Sequence, residues 1–83
     1  MQVIVTPQAA KHFNKIPSIE QKKIKRKFEI LEQNPYEGKK LSAELSETRA
    51  IRAWPYRILY YINQKEKKIF IINIVHRQSA YKN

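Results

Sequence analysis

The chain has no cysteine, one glycine and only seven acidic residues, and each shortage excludes something. Without cysteine there is no disulfide, no thiolate metal site and no thiol nucleophile, and nothing argues for an oxidising compartment, so the expected location is the cytoplasm. With Gly38 alone, a glycine-rich phosphate loop cannot form, which excludes nucleotide hydrolysis of the P-loop kind. The two histidines, His12 and His76, lie in unrelated segments, and no Asp/Glu cluster stands at ligand spacing. No metal and no cofactor is therefore expected. The N-terminal MQVIVTPQAAKHF has only a short apolar run with no basic stretch before it, the pattern of neither a secretory signal nor a membrane span.

What is abundant is positive charge. Seventeen Lys and Arg give a formal net charge of +10 on 83 residues, a strong field on so small a surface. Nucleic acid, an acidic protein or an anionic membrane surface all fit that field, and charge alone does not rank them. A chain of this length buries about 60–65% of its unfolded surface, which supports one modest core, so residues 1–83 are expected to form one domain.

Gln2 to Val5 is β-prone. Thr6-Pro7 then offers an N-cap followed by proline at the first helical position, which predicts a short helix from Pro7 to about Lys15. Ser18, with Gln21 three residues on, has the pattern of a capping box and predicts a second helix from about Ile19 to Gln33. Ile24, Phe28 and Leu31 form its apolar stripe, and Asn34-Pro35 ends it. Residues 36–48 read as an irregular connection with one turn of helix. Arg49 to Ala53, Tyr56 to Asn63 and Lys68 to Val75 are rich in Ile, Val, Tyr and Phe and read as strands, with Asn63 to Lys67 as a hairpin loop. The expected fold is α+β: an N-terminal strand that joins the sheet beside a later one, a helical hairpin, then a three-stranded antiparallel meander, with the helices packed on one sheet face. The opposite face is left open.

Chemistry without thiol or metal leaves acid–base work by His, Tyr, Lys or Glu, supported by arginines. That set suits phosphodiester transfer within RNA, which needs a base for the 2′-hydroxyl, an acid for the leaving 5′-oxygen and cations for the phosphorane. Alternation puts Arg57, Leu59 and Tyr61 on the face opposite Tyr56, Ile58, Tyr60 and Ile62, and the second group reads as core. Arg57 then either contacts a phosphate or pairs with an acidic residue such as Glu66 or with the helix ends. Arg49 and Arg52 fall on opposite faces of their strand, so one of them shares the face of Arg57. His76 and Arg77 follow the last apolar run, where a histidine either moves protons near neutrality or is an ordinary exposed residue. Tyr81 is either a proton donor or base-stacking platform, or a tail residue packed on the domain. Trp54 either stacks on a base or fills a hairpin end. Lys22, Lys23 and Arg26 on the second helix form either a solvated face or a surface that draws in polyanions such as RNA.

The runs LSAELSETRAIRAWPYRILYYI and KIFIINIVHRQSAY, in this order and after a V-x-V-T start and a basic helical hairpin, resemble the RelE/ParE superfamily of bacterial type II toxins. The resemblance extends over nearly the whole chain. It implies a toxin neutralised by an acidic cognate antitoxin. It also implies one of two activities: a metal-free mRNA endoribonuclease (mRNA interferase) that inhibits translation on the ribosome, or a ParE-like DNA gyrase inhibitor. For the nuclease branch Arg57 matches the phosphate-holding arginine of the YR-h-h-Y strand (h, hydrophobic), and Arg77 matches the arginine after the last strand. His76 matches the acid–base histidine of some members, and Tyr81 lies near the terminal tyrosine of others. The lysine pair that RelE carries in the first of these strands is absent here; Arg49 and Arg52 stand near its place, and they stay protonated and are poor general bases.

Overall fold

Apolar residues at alternate positions in the second half of the chain build the sheet, and the computed structural model, which describes residues 1–41 and 48–77, shows how the helices cover it. The elements are β1 (Gln2–Val5), α1 (Pro7–Asn14), α2 (Ser18–Gln33), β2 (Lys39–Lys40), β3 (Thr48–Ala53), β4 (Tyr56–Asn63) and β5 (Lys68–His76). The sheet order is β1-β5-β4-β3-β2. β1 pairs parallel with β5, and the other neighbours are antiparallel. This is the expected α+β arrangement, with one additional strand. β2 lies in the stretch that read as an irregular connection with a helical turn. Its two lysines pair with Arg49 and Ala50, and no helix occupies the described part of that connection. Residues 42–47 lie outside the described part. Lysines at an exposed, two-residue edge also discourage further strand addition there.

Thr6 links the first strand to the first helix. Its hydroxyl donates to the Ile71 carbonyl at 2.7 Å, and its oxygen accepts from the Ala9 amide at the start of α1. The second helix begins differently from the capping-box expectation. Pro17 occupies the cap position with no side-chain capping bond, and Ser18 is already helical. Gln21 instead donates through Nε2 to the Phe13 carbonyl at 2.8 Å, satisfying an acceptor at the end of α1 and fixing the angle of the hairpin. Phe13 and Phe28 pack across the two helices with ring centroids 6.4 Å apart.

The core lies between these helices and one face of the sheet. Ile24 and Leu31 of α2, Ala9 and Ile16 meet Ile51, Ala53, Ile58, Tyr60, Ile62, Ile69, Ile71 and Ile74, all buried. Strict alternation along β5 would bring Asn73 into this layer. A bulge prevents it: Leu59 pairs with Asn73 but Tyr60 pairs with Ile71, which leaves Ile72 as the extra residue. Asn73 turns outward, its side-chain oxygen accepting from the Ile74 amide at 2.9 Å, and Ile74 turns in. No helix among the described residues is long and apolar enough to cross a membrane.

Candidate nucleic-acid interface

The register of β3 and β4 sets Arg52 directly opposite Arg57 on the sheet face away from the helices. Their face-sharing neighbours Ala50, Leu59 and Val75 are uncharged. Of the two arginines in β3, Arg52 is thus the one that shares the face of Arg57. Both line a groove of about 440 Å³ whose far wall is formed by Glu37, Gly38 and the β2 lysines. Glu66, the partner considered for Arg57, has its carboxylate 3.6 Å from the Lys68 ammonium.

Arg49 is on the other face and is tied into the structure. Its guanidinium donates to the Gly38 carbonyl at 2.7 Å and lies over the Tyr36 ring at 4.9 Å. The Tyr60 hydroxyl completes this support by donating to the Pro35 carbonyl at 2.8 Å and accepting from the Gly38 amide at 2.9 Å. These bonds hold the 35–38 turn against the sheet, and with it the wall of the groove. Gly38 fits because it has no side chain: a Cβ there would stand 2.5 Å from the Tyr60 hydroxyl oxygen and 2.7 Å from the Ala50 carbonyl oxygen. Burial pushes the Tyr60 phenol above its ordinary pKa, while the Gly38 amide and the charge of Arg49 pull it down and Glu37 pushes it up.

A second groove, about 610 Å³, runs between α2 and the β3–β4 turn. Lys22, Lys23, Arg26 and Lys27 line its helix side, and Arg52 and Trp54 its sheet side. Trp54 sits at the tight Ala53–Tyr56 turn, with a cis bond to Pro55, and remains 56% exposed. Arg77 joins it: its amide donates to the Pro55 carbonyl at 2.8 Å, and its guanidinium stacks on the indole at 4.9 Å. Lys27 joins the Lys22, Lys23 and Arg26 expected on this surface. The signal was available, because positions 22 and 26, and 23 and 27, are i, i+4 pairs on one helix face.

His76 is the last residue of β5 rather than the first beyond it. It pairs with Tyr56, edge to face with ring centroids 5.3 Å apart, and the register puts both on the helix side of the sheet, opposite Arg57. His12 is half-buried on α1. Tyr81 lies outside the described residues. The structure therefore brings Arg52 and Arg57 together, and separately gathers Lys22, Lys23, Arg26 and Arg77 around Trp54. It places Arg49 and His76 on the helix side.

The fold is similar to the toxin–antitoxin complex RelBE2 from Mycobacterium tuberculosis, with TM-score 0.82 and 28% identity over 92% of this chain and 96% of that one. The intact RelBE complex of E. coli matches with TM-score 0.79 and 22% identity, over 90% of this chain and 94% of that chain. The archaeal RelE–RelB complex from Pyrococcus horikoshii matches with TM-score 0.74 and 21% identity, over 92% and 93%. These last two likenesses establish the fold alone. Among curated proteins none matches the sequence. Residues 3–81 match the family described as the ParE toxin of the type II toxin–antitoxin system parDE. With nearly its whole length matched and the RelE-like sheet and helical hairpin in place, the chain belongs to the ParE toxin family, within the RelE/ParE superfamily of type II toxin–antitoxin toxins.

Proposed function

We propose that this toxin is a ribosome-dependent mRNA endoribonuclease that cleaves by metal-free attack of a 2′-hydroxyl. The observation that carries the reading is the direct opposition of Arg52 and Arg57 on the open sheet face. Two guanidiniums opposite one another on one sheet face can donate to the oxygens of a single phosphate. In the reaction the 2′-oxygen bonds to phosphorus and the bond to the 5′-oxygen breaks, leaving a 2′,3′-cyclic phosphate and a 5′-hydroxyl. The 2′-OH proton passes to a base, and the leaving oxygen takes one from an acid. Arg57, joined by Arg52, holds the phosphate and neutralises the phosphorane, and Arg77, which lies over the Trp54 ring, joins them on turning from it. Tyr81 is the candidate that moves the protons, because His76 lies on the opposite sheet face. Lys22, Lys23 and Arg26 add to the attraction for RNA, and Arg49 contributes charge while fixing the groove wall.

The partner that silences the toxin is an acidic cognate antitoxin. Two facts support this: the formal charge of +10, and relatives whose structures are toxin–antitoxin complexes. A partly disordered acidic segment gains both steering and apolar burial when it folds onto such a surface.

One observation favours a second reading, a ParE-like gyrase inhibitor without nuclease activity. The β5 bulge turns His76 to the sheet face opposite Arg57, so the histidine does not stand beside the arginine pair. Controlled expression in bacteria separates the two. Rapid loss of message without an SOS response is the expected result. DNA breaks and SOS induction with intact message would replace the nuclease by the gyrase reading.

A further inference from the structure

The two grooves meet at Arg52, which lines both. A strand whose scissile phosphate lies on Arg57 and Arg52 therefore has a continuous basic path toward α2. On that path stands the only tryptophan of the chain, 56% exposed although Arg77 stacks on it. We infer that the groove between α2 and the β3–β4 turn is a single-stranded RNA subsite, in which Trp54 stacks on a base and the α2 cations hold the phosphates flanking it. The inference rests on the RNA-directed reading above and adds a second, non-reacting contact to it.

The chemistry selects the occupant. Of the eight described residues lining the groove, five are cationic and none is acidic. Lys23 is tethered at 3.3 Å to Glu20, one turn back on the same helix, which holds its ammonium along the helix surface. Lys22 and Arg26 are separated by one helical turn, about 6 Å along the axis, a span comparable to that between successive phosphates of an extended strand. An acidic peptide would also satisfy the cations, but its apolar anchors need an enclosed aliphatic pocket. Here the apolar lining consists of Ile19, itself 71% exposed, Ala53 and the open indole. An aromatic platform with a guanidinium over one face offers its other face to any base, because every base presents a π-face.

Because Trp54 is the only tryptophan, its fluorescence reports the site directly. The test titrates the purified chain, without ribosomes, with a uridine hexanucleotide, with an abasic oligomer of the same length, and with polyglutamate. The hexanucleotide is expected to quench the emission and the other two to leave it nearly unchanged. Raising salt from 50 to 200 mM should weaken RNA binding about 100-fold if five phosphates are neutralised on a single strand. By anisotropy of labelled RNA, Trp54→Ser should lose about 10-fold or more in affinity while Trp54→Phe retains most of it. Lys22→Gln with Arg26→Gln, folded by circular dichroism, should weaken binding without abolishing quenching at saturation. Equal quenching by the abasic oligomer or polyglutamate, or none by RNA, overturns the inference. Its failure is distinct from that of the nuclease reading: quenching with intact message in a translation reaction supports the subsite and rejects the nuclease, and cleavage without quenching does the reverse.

Discussion

Tyr60 shows how one side chain connects core and groove. It is fully buried, and its hydroxyl serves both the Gly38 amide and the Pro35 carbonyl. Tyr60→Phe keeps the ring but leaves both backbone groups without that partner, and should cost about 1–3 kcal/mol in urea unfolding. Gly38→Ala should cost a similar amount, about 1–3 kcal/mol, because the new methyl must displace either the Tyr60 hydroxyl or β3 backbone. Tyr60 also couples stability to alkaline pH. Its folded-state pKa is raised by burial, so the folded form retains the proton where the unfolded chain has lost it. That contribution is full below about pH 10, the ordinary tyrosine value, and is lost as pH rises through the higher folded value. Tyrosinate absorbance should show one tyrosine ionising last, together with unfolding. Tyr60→Phe should remove that step and flatten the alkaline arm of the stability curve.

At the scale of elements, two devices hold the helical hairpin to the sheet. Thr6 caps α1 and bonds to β5 through the same hydroxyl. Thr6→Ala should therefore lose about 1–2 kcal/mol, at the upper end of cap substitutions, measurable as a lowered thermal midpoint. Leu31→Ala, at a fully buried position of α2, should lose more, about 2–5 kcal/mol. Most of these elements were legible because each has its own local signal. Thr6-Pro7 starts a helix, Asn34-Pro35 stops one, and Ile58, Tyr60 and Ile62 alternate into the core as expected. Two features depended on tertiary context. The β2 lysines carry no strand signal and pair only because Arg49 and the 35–38 turn bring them to β3. The bulge in β5 is also invisible to a period-two reading. Counting from Ile69 by twos would put Asn73 in the core and His76 on the face of Arg57, and the extra residue Ile72 reverses both. The arginine pair was half legible: alternation said that one β3 arginine shares the face of Arg57, and only the register identified Arg52.

For the molecule as a whole the governing quantity is the formal charge of +10 spread over a domain with a Cα radius of gyration of 12.0 Å. Such a field steers acidic partners and is screened within about 8 Å at physiological ionic strength. Association with an acidic antitoxin should therefore slow steeply as salt rises while its dissociation rate changes little, a separation that stopped-flow mixing measures. Within that field, the opposed arginines of β3 and β4 are proposed to hold the phosphate of an mRNA that the toxin cuts on the ribosome. Primer extension on message from a reconstituted translation reaction tests it most directly, with the native chain beside Arg57→Ala, whose fold is checked by circular dichroism. New cuts at A-site codons are expected with the native chain, and their loss with the folded variant. Intact message with a folded, growth-arresting native toxin, or undiminished cuts in Arg57→Ala, would contradict it.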